Sequence, residues 1–271
     1  MARIAIIGLV GRSMFFEVPR FHSGGETITA RGYYEEWGGK GFNQAVAAAR
    51  QDAAVSFLGA VNAADAKDLK DFCAQEGVAV TVAAKKKPTA CAAILTDGTG
   101  ETRVTVYPGA ELEPRDVDGF AGSIAMADFL LLNNEVPEAV NLAAVAIARE
   151  YGVKVILNPA PARALPDELK KSVFLFTPNE FEEASLGLKA EVITTLGEKG
   201  CRIRSTGEVL PAPPAKAVDS TGAGDTFNAV LATRLSEGET LHDACVAANA
   251  AAAQSVAVRY VIPSLPFRTN P

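Results

Sequence analysis

An α/β architecture, a doubly wound and mostly parallel sheet flanked by helices with a small β-sheet lid, is predicted by three features of the chain. Apolar runs of strand length alternate with helix-length segments, several runs are apolar at nearly every position, and two stretches break the rhythm with β-branched alternation. Runs without polar gaps suit strands buried on both faces, and strand–helix alternation implies parallel strands joined by crossovers.

The first run, Arg3–Leu9, has the charge and apolarity of a short secretory leader. Gly8 and Gly11 end it and no small-residue cleavage site follows, so it reads as a buried strand. The helical pattern Phe42–Gln51, the strand Val55–Leu58 and the helical pattern Ala64–Glu76 come next. The strand Phe129–Leu132 leads into a helix at Pro137–Tyr151, and the strands Val153–Leu157 and Phe174–Thr177 precede a helix at Glu180–Leu186. The last strand, Val192–Leu196, is followed by two helical patterns, Thr226–Glu237 and Leu241–Val256. The exceptions are Thr27–Tyr33 and the pair Cys91–Thr96 and Thr102–Tyr107, the pair joined by Asp97-Gly98-Thr99-Gly100. These read as antiparallel strands of an accessory sheet, because a hairpin is the shortest link between them. With no internal repeat, low-complexity tract or Pro/Ser-rich linker, residues 1–271 are expected to form a single domain, with lid segments at about 12–36 and 88–109.

Composition narrows the functional classes. Against 26 Lys and Arg stand 32 acidic residues, a net charge of −6, without long like-charge blocks. That balance points away from a nucleic-acid or anionic-membrane partner. At 48% hydrophobic and 21% charged, the chain can bury a sizeable core. No apolar stretch reaches the roughly eighteen residues of a membrane span. Cys73, Cys91, Cys201 and Cys245 are scattered and, with only His22 and His242 beside them, match no zinc spacing. Reduced thiols in a cytoplasmic protein are expected.

In open α/β sheets ligands bind at the carboxyl ends of strands, so the polar, glycine-bearing loops there are the candidate sites. The strongest is Val218-Asp219-Ser220-Thr221-Gly222-Ala223-Gly224-Asp225, which enters an apolar helix. Gly222 and Gly224 would let backbone N–H groups at the helix start face a phosphoryl group. Asp225, in the first turn, could take a proton from an attacking hydroxyl while those amides hold the developing charge. Taken alone, the same loop also reads as an N-cap on a glycine-rich turn with Asp225 complementing the dipole. The second loop, Trp37-Gly38-Gly39-Lys40-Gly41-Phe42-Asn43-Gln44, offers close backbone approach to a polyol and an Asn43 amide for vicinal hydroxyls. It is not a Walker A loop, since Gly41 stands where Ser or Thr should follow the lysine. A tight turn with an Asn cap explains it equally well.

Together the two loops, 182 residues apart (225 minus 43), resemble the paired signatures of the ribokinase-like, or PfkB, carbohydrate kinases. The resemblance covers nearly the whole chain. Val155–Ala162, Thr177-Pro178-Asn179-Glu180 and Pro263-Ser264-Leu265-Pro266 are similar to the ribokinase branch of that family. It implies phosphoryl transfer from ATP to a hydroxyl of a small sugar-like substrate, with Asp225 as base and Gly222, Ala223 and Gly224 as anion hole. It further implies that Gly39, Lys40, Gly41, Asn43 and Glu135 contact the sugar, although Glu135 alone could be an exposed residue before a helix. Asn179 and Glu182 match the family's Asn-x-x-Glu pattern for Mg²⁺ and phosphate placement, through water as hard cations prefer; alone they read as a strand-end Asn and a solvated first-turn Glu. Thr195, Gly197 and Gly200 resemble the nucleotide-binding turn, Asn249 falls where the family contacts adenine, and Asp219 and Thr221 match positions that bind a monovalent cation such as K⁺. The lid, with Thr27, Tyr33 and the 91–107 hairpin, would close over the sugar, exclude water and pair two subunits as a homodimer.

Departures from the family sharpen the expectation. In the loop from Gly8 to Pro19, ribokinases usually place Asn and Asp where this chain has Gly11 and Ser13. Losing that Asp removes a charged bidentate acceptor for substrate hydroxyls, so D-ribose is expected to be a poor substrate. Arg12 between them could meet an anionic group or simply be solvated. Only Leu188, Lys189 and Ala190 follow the Asn179–Gly187 segment where the family usually has another helix, so one sheet face is expected to be thinner there or covered by a partner. The Arg259-Tyr260-Val261-Ile262 loop lacks the glycine typical of the cation loop, which puts cation activation in question. A nucleoside or sugar-acid kinase of the same family is the alternative, and a non-catalytic sugar- or nucleotide-binding protein the competing class.

Overall fold

The computed structural model describes residues 1–187 and 190–269. Among them a nine-stranded sheet runs in the order β13-β12-β11-β10-β9-β8-β1-β4-β5. Its strands are β1 (Arg3–Ile7), β4 (Ala54–Asn62), β5 (Val78–Lys85), β8 (Phe129–Asn133), β9 (Lys154–Asn158), β10 (Leu175–Phe176), β11 (Glu191–Thr195), β12 (Cys201–Ile203) and β13 (Val209–Leu210). From β5 through β11 the neighbours are parallel, while β12 and β13 turn back antiparallel. Alternate residues of β1 show why the runs are apolar throughout. Ile4 and Ile6 enter the core on one face with Phe42, Val230 and Ala248, while Ala5 and Ile7 join Phe120, Val140 and Phe176 on the other.

Helices α1 (Lys40–Arg50), α2 (Ala66–Gln75), α8 (Ala223–Ser236) and α9 (Leu241–Ser255) pack on the first face. On the second lie α3 (Pro114–Asp118), α4 (Ala121–Ala125), α5 (Glu138–Glu150), α6 (Asp167–Ser172) and α7 (Glu180–Leu186). A last short helix, α10 (Val261–Ser264), follows α9. Of the segment after Gly187, Leu188 and Lys189 lie outside the described residues.

A second sheet of four strands stands apart, in the order β3-β2-β6-β7, from β2 (Gly11–Glu17), β3 (Gly32–Gly38), β6 (Ala90–Thr96) and β7 (Thr102–Tyr107). The hairpin β6–β7 is where the sequence suggests. Two expectations change. The segment from Gly11 to Glu17 is a strand rather than a loop, and the strand expected at Thr27–Tyr33 is instead Gly32–Gly38, because only those seven residues pair one to one with Gly11–Glu17. The sheet is also mixed: β2 and β6 run parallel, since they arrive by separate crossovers and no hairpin joins them.

Candidate active site

The two glycine-bearing loops meet at the start of α8. Gly222, with φ of 81°, caps that helix, and Asp225 sits in its first turn, 5% exposed. Asn43 Nδ2 donates to Asp225 Oδ2 at 2.8 Å and Gln44 Nε2 to Oδ1 at 3.2 Å. Both donors come from α1, which begins after Gly39, at φ of 107°. A Cβ on Gly41 would stand 2.5 Å from Gly8 Cα, so only glycine lets α1 lie this close to the end of β1. Burial pushes the Asp225 carboxyl up, and Lys40, Asn43 and Gln44 oppose the shift. The Lys40 ammonium is held well into its charged form, chiefly by Asp225, with help from Glu135 and Glu182. Glu135 accepts the Lys40 backbone N–H at 2.7 Å, and burial raises its carboxyl to about 7 against the pull of Lys40. A carboxylate pushed up this way is a better proton acceptor than a solvated one. Asn43 Oδ1, Gln44 Oε1 and Asn133 Nδ2 are buried without a hydrogen-bond partner.

The rest of the Asp219–Asp225 loop is pinned by its own carboxylate. Asp219 accepts from Thr221 N at 2.9 Å and from Tyr260 N at 3.1 Å. Ala223 and Gly224 form the first residues of α8, with Gly224 exposed. The residues assigned to the nucleotide gather at the carboxyl ends of β10 and β11. Asn179 and Glu182 form a reciprocal capping box on α7: Glu182 N donates to Asn179 Oδ1 at 2.8 Å and Asn179 N to Glu182 Oε2 at 2.9 Å. Glu182 is buried, not solvated. Asn179 bridges to Thr195, whose strand runs on into the turn Gly197–Lys199, closed by Gly200. Asn249 is buried and donates to Leu210 O at 3.0 Å, beside Cys201. Thr177 Oγ1 donates to Asn228 Oδ1 at 2.5 Å, which ties this edge to α8. No cluster of three or more His, Cys, Asp or Glu side chains suited to hold a metal occurs among the described residues.

Gly11 and Ser13 lie in β2. Ser13 pairs with Glu36 on β3 and with Ala92 on β6, so the three side chains share one face of the small sheet. Arg12 points to the other face, where its guanidinium lies 3.6 Å from the Trp37 ring centre and pairs with Asp68 and Glu35 while staying partly exposed. Two residues escaped the sequence reading. Gln44 had a signal: a polar residue in a helix buried from Gly41 to Ala48 needs a partner. Glu36 is 6% exposed and accepts from Val261 N and Ile262 N, and its burial was hidden because Glu35-Glu36 looks like a solvated pair.

Residues 1–268 match the model of the pfkB family carbohydrate kinases. A ribokinase from Haemophilus influenzae is 35% identical, over 98% of this chain and 95% of that protein. A ribokinase structure from Thermotoga maritima superposes with a TM-score of 0.89 at 31% identity, over 99% of this chain and 97% of that one. A structure of Arabidopsis thaliana ribokinase complexed with ribose and ATP gives 0.87 at 28%, over 98% and 96%.

Proposed function

Because this chain belongs to the pfkB family of carbohydrate kinases, enzymes that phosphorylate an alcohol acceptor, we propose that it transfers the terminal phosphoryl group of ATP to a hydroxyl of a small sugar. The observation that carries this is the buried Asp225 carboxylate at the start of α8, held by Asn43 and Gln44 and faced by the Lys40 charge. Asp225 takes the proton of the sugar hydroxyl, the freed oxygen pair attacks the terminal phosphorus, and the bond to the bridging oxygen breaks to release ADP. The amides of Gly222, Ala223 and Gly224 would meet the charge that builds on the phosphoryl oxygens. Gly39, Lys40, Gly41, Asn43 and Glu135 would line the sugar, while Thr195, Gly197, Gly200 and Asn249 would take the nucleotide.

Mg²⁺ would supply charge neutralisation along the phosphates. Glu182, buried beside the Lys40 charge, and Asn179 would hold it through water. A K⁺ ion would sit by Asp219 and Thr221, and comparing rates with K⁺ and with a larger organic cation tests that role. The small sheet serves as lid and as the joint of a homodimer. All four cysteines are free thiols, which fits a reducing cytoplasm.

The named relatives make D-ribose the reference substrate, and Ser13 argues for a sugar that is bulkier or differently hydroxylated. The test is ADP formation with a panel of pentoses, ketohexoses, nucleosides and sugar acids. A preference for a sugar supports the proposal, whereas preference for a nucleoside or sugar acid moves the assignment within the family. No turnover with any member would leave a binding protein.

A further inference from the structure

We propose that Glu36 is a positioning residue that latches the lid to the phosphoryl-binding turn through the backbone of Val261 and Ile262. The proposal rests on the kinase activity inferred above. Glu36 stands directly opposite Ser13, on the same face of the lid. Its carboxylate is aimed at the core rather than at solvent: Val261 N donates to Oε1 at 2.9 Å and Ile262 N to Oε2 at 3.0 Å. One oxygen per amide is a bidentate grip, and bonds to a charged acceptor are stronger than neutral ones.

What Glu36 grips touches the turn that would hold the phosphoryl group. Val261 Cγ1 lies 2.6 Å from where a Cβ on Gly222 would be, so the valine is packed against the glycine backbone. Tyr260, the residue before, has φ of 67°, an uncommon conformation for an aromatic side chain. It is held there from both sides. Its N–H donates to Asp219, and its ring stacks on Tyr34 at 4.0 Å and meets Phe15 edge-on at 5.1 Å. Arg259 pairs with Glu17. Glu17, Phe15, Tyr34 and Glu36 all belong to the lid, so its two strands β2 and β3 hold one short core segment at four successive residues. That segment is bonded in turn to Asp219 and packed on Gly222. A movement of the lid strands is therefore transmitted to the anion-binding turn through this segment.

The grip is made against a cost. Burial, with the nearby Asp219 carboxylate adding to it, pushes the Glu36 carboxyl up to about 7, and the two amides pull it down. Tyr34 faces it as a neutral phenol, its own ionisation pushed up by burial and by Glu36.

Glu36→Gln tests the latch with little change in shape, because its Nε2 is a donor and leaves one of the two amides without an acceptor. Hydrogen exchange at the Val261 and Ile262 amides should quicken. Under conditions where both proteins are fully folded, kcat should fall by about 10- to 100-fold, the scale of an ångström-sized misplacement, with KM for ATP little changed. Glu36→Asp, shorter by one methylene but still charged, should keep part of the rate. Unchanged exchange, or faster exchange with unchanged kcat, overturns the proposal. So does a loss of rate fully accounted for by loss of folded protein. If the wild-type protein turns over no member of the substrate panel, the kinase assignment is wrong, and the exchange measurement alone then decides whether the latch exists.

Discussion

Asp225 receives hydrogen bonds from Asn43 and Gln44, and burial has raised the proton affinity of its carboxyl group. Those two donors fix its orientation, and Lys40 keeps its charge tolerable in a buried setting. Replacing one oxygen by an amide in Asp225→Asn keeps the volume and removes the proton acceptor. Turnover on the best substrate should drop by about 10²–10⁴-fold, while calorimetric binding of ATP and sugar stays close to wild type. Near-wild-type kcat would refute the assignment. Ser13 carries the second expectation at this scale. A hydrogen bond to a charged group is worth about 1.5–3 kcal/mol, so a serine in place of Asp should leave D-ribose roughly ten- to a hundredfold weaker. Ser13→Asp should recover part of that in kcat/KM for D-ribose. Recovery will be partial because Glu36 sits directly across the strands, and like charges there disfavour each other. A wild-type preference for ribose over the whole panel, with no gain in the variant, would defeat this.

Among the elements, β7 is the one whose sequence and surroundings disagree. Thr102–Tyr107 is rich in β-branched and aromatic residues, yet all six positions are exposed, Val104 and Val106 at 56% and 59%. It is also an edge strand, with unpaired backbone groups along one side. Val104 and Val106 pair with Ile94 and Ala92, so they extend the face that carries Ser13 and Glu36. The same sheet of a second copy would cover it, and light scattering at micromolar concentration should then give a dimer. Val106→Lys should shift it to monomer; a wild-type monomer would reject the interface. This strand was legible in the sequence because alternation and the Asp97–Gly100 turn are local signals. The far strands of its sheet, β2 and β3, were not, since Gly11, Gly38 and Trp37 look like loop residues and the pairing that makes them strands is decided by register with each other. Helices α3, α4 and α6 are five or six residues long, too short for a periodic pattern to identify.

At the scale of the whole molecule, the layered sheet brings Asn43 and Asp225 into hydrogen-bond contact although they are distant in the chain, because α1 and α8 pack side by side on one face. Composition and motif order could place both loops at the carboxyl edge, but the cost of gathering their acids there is a property of burial alone. Glu36 and Glu135 are both raised from 4.5 to about 7, and Asp225 is raised as well, each with burial as the main cause. The sign of the consequence is fixed by linkage. Between the unfolded and folded values the native protein holds protons that the unfolded chain has released, so these groups favour folding below that window and the benefit is lost as pH rises through about 7. Paired carboxylates such as Glu183 and Glu237 are lowered and act in the opposite sense, but in acid, below their ordinary range. The melting temperature of the ligand-free protein should therefore fall as pH rises from about 5 to about 7, most steeply between the two values, and level off above neutrality. Glu36→Gln and Glu135→Gln should each flatten that slope. Thermal melts across the range check this: a wild-type melting temperature that is level or rising, with both variants running parallel to it, would mean that neither carboxyl is raised by burial.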